Sequence, residues 1–143
     1  MKAQTYCIPL TTTGCATFGD FLNGFTFANI SNLNSGCNQL NGNSYSYFNT
    51  LGPAQTMAGQ SYSCSFQTNP SYSHGVAIWI DFNQNGTFEA TERVYASTGT
   101  IPPSTTTNLT VAIPTTALPG VTRLRIRTVD ATAGTTIDPC LSY

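Results

Sequence analysis

Residues Gly75–Phe82, GVAIWIDF, decide how this chain is read. Val76, Ile78, Ile80 and Phe82 fall on one side of an extended strand, and Ala77 and Trp79 fall on the other. A strand that is apolar on both sides belongs at the centre of a layered β structure. Working outward, GFTFANI, YSYF, SYSCSF, RVYAS, LTVAIP and TRLRIRTV are further short runs, most of them rich in β-branched or aromatic residues. LTVAIP sets Leu109, Val111 and Ile113 on one face. Between these runs, NSGCNQLNGN, TGTIPPSTTT and TTALPG carry turn and loop chemistry. No segment holds a convincing helical repeat, and EATERVYA comes nearest. The pattern predicts an all-β sandwich of about seven to eight mostly antiparallel strands, in a single domain spanning residues 1–143.

Charged residues make up only 8% of the chain, against roughly a quarter in an average soluble protein. With a formal net charge of −1, nothing suggests electrostatic capture of nucleic acid or of an anionic membrane. No apolar run approaches the ~20 residues of a membrane span. Five cysteines amid abundant Thr, Ser, Asn and Tyr suit a secreted, extracellular or cell-surface protein. MKAQTYC is too short and too polar for a signal peptide, so the chain reads as a mature sequence with an added Met1.

An odd number of cysteines leaves one thiol over if the other four pair. In SYSCSF, Tyr62, Cys64 and Phe66 share one strand face, while Ser61, Ser63 and Ser65 share the other. Cys64 therefore reads as a small buried apolar residue. Cys15 and Cys37 flank the apolar FLNGFTFANI and could close it as a loop, and Cys7 and Cys140 could tie the two ends together. Other connectivities stay open.

Just past the central strand, Asp81–Val94 reads DFNQNGTFEATERV and holds three of the six acidic residues, Asp81, Glu89 and Glu92. Counted from Asp81, residues Asn83, Asn85, Gly86, Thr87, Glu89 and Glu92 take the spacing of an EF-hand-like calcium loop. A hard dication wants several oxygens, and alternate residues of a tight loop can aim theirs inward. Gly86 permits the sharp turn, Thr87 offers its carbonyl, Glu89 acts directly or through water, and Glu92 supplies two oxygens. The expected cofactor is therefore Ca2+, in a structural role. The plainer reading is that Asn85-Gly86 is a type I′ hairpin turn, and the helices that flank an EF-hand are absent. A turn alone, however, asks for neither Asp81 nor Glu92.

VAIWIDFNQNGTFEATERV resembles the core motif of the GEVED domain, a β-rich module of secreted bacterial proteins. TYC near the start, SGC after the first apolar region and AIPTTALPGVTRLRIR near the end agree, so the resemblance extends over nearly the whole chain. It implies a cell-surface setting in multidomain proteins, often with proteases or adhesive repeats, and it implies no known reaction. The family takes its name from an acidic Gly-Glu-x-Glu-Asp-Tyr segment after the last cysteine. Here the chain stops at DPCLSY, where that segment would begin.

TRLRIRTV holds three of the five basic residues, Arg123, Arg125 and Arg127. Leu124 and Ile126 should face the core and the arginines the other side, as a solvated ladder. A sharper expectation joins this ladder to the missing acidic segment. An acidic strand from a neighbouring chain, or a second copy, could lie beside it by strand addition and give oligomers or filaments. Catalysis is not expected. His74 is the only histidine, in a turn-like PSYSHG just before a strand, and no nucleophile motif or phosphate loop is present. The reading is a non-catalytic calcium-stabilised module for adhesion or assembly. The alternative is a carbohydrate-binding module attached to a secreted degradative enzyme, in which several of the seven tyrosines, in YSYF and SYSCSFQTNPSYSHG, offer stacking surfaces to a cell-surface glycan.

Overall fold

Inward–outward alternation along the strands becomes two packed antiparallel sheets. The computed structural model describes residues 4–143. Its strands are β1 (Leu22–Phe27), β2 (Ile30–Leu33), β3 (Ser61–Thr68), β4 (His74–Ile80), β5 (Arg93–Ala96), β6 (Thr106–Ala112) and β7 (Leu124–Asp130). One sheet has the order β2-β1-β3-β6 and the other β5-β4-β7. Every pairing is antiparallel. The fold is the all-β sandwich expected, with seven strands. Among the described residues, helix is confined to one turn at Cys15–Phe18 and three short 3-10 turns. Among the described residues, no helix is long and apolar enough to cross a membrane.

Two segments differ from the expectation. GFTFANI is two strands: Phe27 pairs with Ile30 across a turn in which Ala28 takes a φ of 49°, as a two-residue hairpin loop demands. YSYF is not a strand. Its backbone is held by a local side chain, the Tyr47 N–H donating to Asn41 Oδ1 at 2.7 Å. Its tyrosines meet arginines instead, with the Arg123 guanidinium 4.0 Å from the Tyr47 ring centre.

All seven residues of β4 are buried. Val76, Ile78 and Ile80 pack between the sheets with Phe27, Cys64, Phe66, Val111 and Ile113. Leu124 and Ile126 of β7 join this core, as their alternation predicts. On the opposite face, Ala77 and Trp79 pack with Tyr6, Phe88 and Ile137. Those three residues come from the N-terminal segment, the loop after β4 and the C-terminal segment. They form a cover over the outer face of the second sheet. The C-terminal part runs close to the strand: a Cβ at Gly75 would overlap the Thr132 carbonyl, and one at Gly134 the Val76 carbonyl.

Disulfides join Cys7 to Cys140 and Cys15 to Cys37. The first fastens the N- and C-terminal parts of the cover to each other. Cys64 is free and buried in the inter-sheet core. Burial pushes its thiol up from 9.0 to about 11, because a thiolate there would lose its hydration. The neutral thiol thus favours the fold fully below about pH 9, and this contribution is lost as pH rises through about 11. At pH 8 a thiol-specific disulfide reagent should report no reactive thiol on the native chain and one per chain after denaturation. Rapid native labelling would contradict this placement.

Candidate cation loop and arginine edge

The backbone leaves β4 at Asp81, whose N–H still donates to the Arg123 carbonyl at 3.1 Å. Pairing resumes only at Arg93, opposite Trp79. The connection is therefore the whole loop from Asp81 to Glu92, and Asn85-Gly86 is not a two-residue hairpin turn. Its sharp bend uses Gln84 at φ 57° and Gly86 at φ 85°, and the left-handed backbone is cheapest at glycine.

Asp81 is 0% exposed. Its Oδ1 accepts the Asn85 N–H at 3.2 Å, and its Oδ2 accepts the Gly86 N–H at 2.9 Å and the Tyr6 hydroxyl at 2.7 Å. Glu92 is 3% exposed. Its Oε1 accepts the N–H groups of Phe82 and Asn83 at 2.9 and 3.2 Å, and its Oε2 accepts that of Glu89 at 3.2 Å. Glu89 lies exposed at the mouth, where the side-chain NH2 groups of Asn83 and Asn85 donate to it at 3.1 and 2.7 Å. Thr87 closes on Asn85 Oδ1 through its N–H at 2.8 Å and its hydroxyl at 2.6 Å.

The six predicted loop residues thus divide into two groups. Asn83, Asn85, Thr87 and Glu89 gather at the exposed rim, and Asp81 and Glu92 form the buried floor. Glu92 departs from the EF-hand pattern. With Oε1 already taking two N–H groups, it clamps the two ends of the loop together and does not present both oxygens. The donor set combines the carboxylates of Asp81, Glu89 and Glu92 with neutral oxygens of Asn83, Asn85 and Thr87, which suits a hard cation. Among the described residues, no Lys, Arg or His pairs with Asp81, Glu89 or Glu92. Two buried carboxylates stabilised only by N–H and O–H dipoles are a costly arrangement, and a dication at the rim would offset it. Binding there would exchange the amide contacts to Glu89 for metal–oxygen contacts.

Sequence reasoning missed Tyr6, which lies 75 positions from Asp81 in the chain and has no spacing signal to link it to the loop. Burial, with the Asp81 carboxylate beside it, pushes the Tyr6 hydroxyl up to about 12, so it stays a donor across the working pH range. Tyr6→Phe should lower stability by about 2 kcal/mol, the usual cost of removing a hydrogen bond to a charged group. Urea unfolding at neutral pH measures it. An unchanged midpoint would mean the hydroxyl does not support the loop.

At the neighbouring strand, Trp79 pairs with Arg125 and Ala77 with Arg127. These arginines share the face that the terminal segments cover. They are therefore not a solvated row: Arg125 and Arg127 are 5% and 8% exposed. Arg125 donates to the Pro139 carbonyl at 2.8 Å and to the Cys7 carbonyl at 2.6 Å, and Arg127 donates to the Asp138 carbonyl. Arg123 sits between the rings of Tyr6 and Tyr47, at 4.4 and 4.0 Å. Among the described residues, no carboxylate pairs with any of the three. Burial holds both guanidinium groups below their usual value, Arg127 at about 10.

The bonding of Asp81 to Arg123 and of Ala131 to Ser73 fixes which backbone groups face β4. Arg123, Arg125, Arg127 and Val129 point theirs toward β4, and Leu124, Ile126 and Thr128 point theirs away. Among the described residues, no strand pairs with that outer edge. Thr128 Oγ1, on the same strand, is buried without a hydrogen-bond partner.

Residues 75–143 match the family model of the GEVED domain. The match begins at β4 and takes in the acidic loop, the arginine strand and the C-terminal cover, while TYC and SGC lie outside it. No curated protein and no solved structure matches the chain. From β4 onward the chain is thus similar to the GEVED domain family, as the resemblance of VAIWIDFNQNGTFEATERV implies.

Proposed function

We propose that the chain is a non-catalytic extracellular module for adhesion or assembly at the cell surface, which associates through the outer edge of β7 and is stabilised by calcium at the Asp81–Glu92 loop. The observation that carries this reading is the open β7 edge, beside three arginines with which, among the described residues, no carboxylate forms an ion pair. An incoming strand would bond to the outward N–H and C=O groups of Leu124, Ile126 and Thr128. Acidic side chains on that strand would lie nearest Arg123, the least buried of the three, while the covered Arg125 and Arg127 add their charge at longer range. The strand could come from a second copy or from another protein with an acidic segment. Two disulfides support the extracellular setting.

The glycan reading gains less support. The groove on the outer face of the first sheet is lined by Thr26, Ser63, Ser65, Asn108 and Thr110 with Cys64 and Leu109, and no aromatic ring is among them. That groove therefore offers hydroxyl and amide partners without a stacking surface beside them.

A synthetic acidic β-strand peptide should bind the chain saturably, and more weakly as salt is raised. Thr128→Pro removes one outward N–H without touching the bonds to β4, and it should abolish this binding while leaving the fold intact by circular dichroism. Peptide binding unaffected by that substitution would place the contact elsewhere.

Calcium at 100 times its Kd should stabilise the fold by about 2.7 kcal/mol, which for a chain of this size raises the melting temperature by roughly 5–10 °C. Asn83→Ala with Glu89→Ala, both at the exposed rim, should remove the calcium response and leave the metal-free melting temperature nearly unchanged. A melting temperature indifferent to calcium in the unaltered chain would reduce the loop to a self-satisfied connection.

A further inference from the structure

At the other end of β4 from the acidic loop, three side chains meet that no spacing rule linked. His74 opens β4, Asp130 closes β7, and Asp20 precedes β1. One potential ligand atom from each lies within 4.8 Å of the other two. We propose that Asp20, His74 and Asp130 form a transition-metal site for a Zn2+-class dication, separate from the calcium loop.

The backbone builds this site. His74 pairs with Asp130 in the β4–β7 register, and the Ala131 N–H to Ser73 carbonyl bond beside them makes theirs the non-hydrogen-bonded, closer type of pair. The His74 backbone is engaged on its other side, bonding Ile101 in both directions at 3.0 and 2.8 Å. The imidazole is 0% exposed, and its Nε2 lies 3.0 Å from Asp20 Oδ1. Nδ1 is partnered outside the cluster, with Asn69 Nδ2 at 2.7 Å and the Tyr72 carbonyl at 2.9 Å, and the same Asn69 nitrogen lies 3.4 Å from Nε2. Asn69 is itself fixed, because its Oδ1 accepts the N–H groups of Ser71 and Tyr72 at 2.7 and 2.9 Å.

Two neutral tautomers of His74 fit these contacts. With Asn69 donating to Nδ1, Nε2 carries the proton and gives it to Asp20. With the proton on Nδ1, the Tyr72 carbonyl accepts it and Nε2 offers a lone pair to the space between the carboxylates. Metal binding selects the second, the arrangement in which a ligating histidine donates its other N–H to a backbone carbonyl. A proton on Nε2 serves one carboxylate, whereas a dication serves both and balances their two charges. An imidazole nitrogen favours zinc, nickel or copper over calcium or magnesium, so the two ends of β4 divide cations by chemistry. A cleft of about 340 Å3 lined by Phe18, Tyr72 and both aspartates opens over the cluster. It leaves outer coordination positions to water or to a carboxylate of a bound partner.

The test is calorimetric titration of the disulfide-intact chain with Zn2+ in saturating Ca2+, read alongside the 15N resonances of His74. The expected result is one zinc per chain, with His74 protonated on Nδ1 alone in the zinc-bound state. Asp130→Asn, an exposed substitution that spares the fold, should weaken zinc binding at least tenfold. Asn83→Ala with Glu89→Ala should leave it unchanged. Three results would overturn the site: no saturable zinc binding, binding that leaves the histidine resonances in place, or binding that Asp130→Asn does not weaken.

Discussion

Strand β4 is buried on both faces, so two different sets of residues must exclude water from it. One set is ordinary for a sandwich: Phe27, Phe66, Val111 and Ile113 of the opposite sheet close over Val76, Ile78 and Ile80. The other is assembled from segments with little regular structure, contributing Tyr6, Phe88 and Ile137 against Trp79. Such segments carry backbone polar groups that need partners once buried. The polar features of this molecule supply them. Asp81 and Glu92 take up the N–H groups of the loop, while Arg125 and Arg127 take up carbonyls of the terminal segments. The Cys7–Cys140 disulfide fastens those segments together over the same face.

Acceptors and donors are thus segregated. Carboxylates satisfy N–H groups at the loop end of the cover, and guanidinium groups satisfy C=O groups along β7. Neither set has an opposite charge to pair with among the described residues, although the chain has few charges to begin with. A domain that keeps its scarce charges unpaired in two separate places has potential left for an external cation at one and an external acidic strand at the other. Both proposed contacts follow from this single property, and each acts on a segment that the cover needs in place.

Much of this was legible in the sequence. Apolar residues on both sides of GVAIWIDF announced a central strand, and SYSCSF announced the inward Cys64, because strand alternation is local and strict. The spacing from Asp81 to Glu92 names six residues that the fold sets around one loop, two on its floor and four at its rim. It misassigned the work of Glu92, since a carboxylate that clamps N–H groups and one that chelates a metal occupy the same position in a spacing rule. Arg125 and Arg127 were expected in water because alternation tells which face a residue takes and not what lies over that face. The cover comes from both ends of the chain, more than a hundred residues apart at the Cys7–Cys140 bond. Tyr6 beside Asp81, and Asp20 beside His74, were hidden for the same reason. YSYF had strand composition, but cation–π packing on the arginines and the Asn41 side chain decided its conformation.

The account stands or falls on β4 being the sealed strand while β7 keeps an open edge, and residue-resolved amide hydrogen exchange on dilute protein tests both halves at once. The N–H groups of Ala77 and Trp79, bonded to β7 across a covered face, should be among the slowest to exchange. Those of Ile126 and Thr128 should exchange orders of magnitude faster, although they belong to the paired neighbour strand. Equal protection of Ile126 and Thr128 in a monomer would show that the β7 edge is already covered, and fast exchange at Trp79 would show that the cover does not seal the sheet.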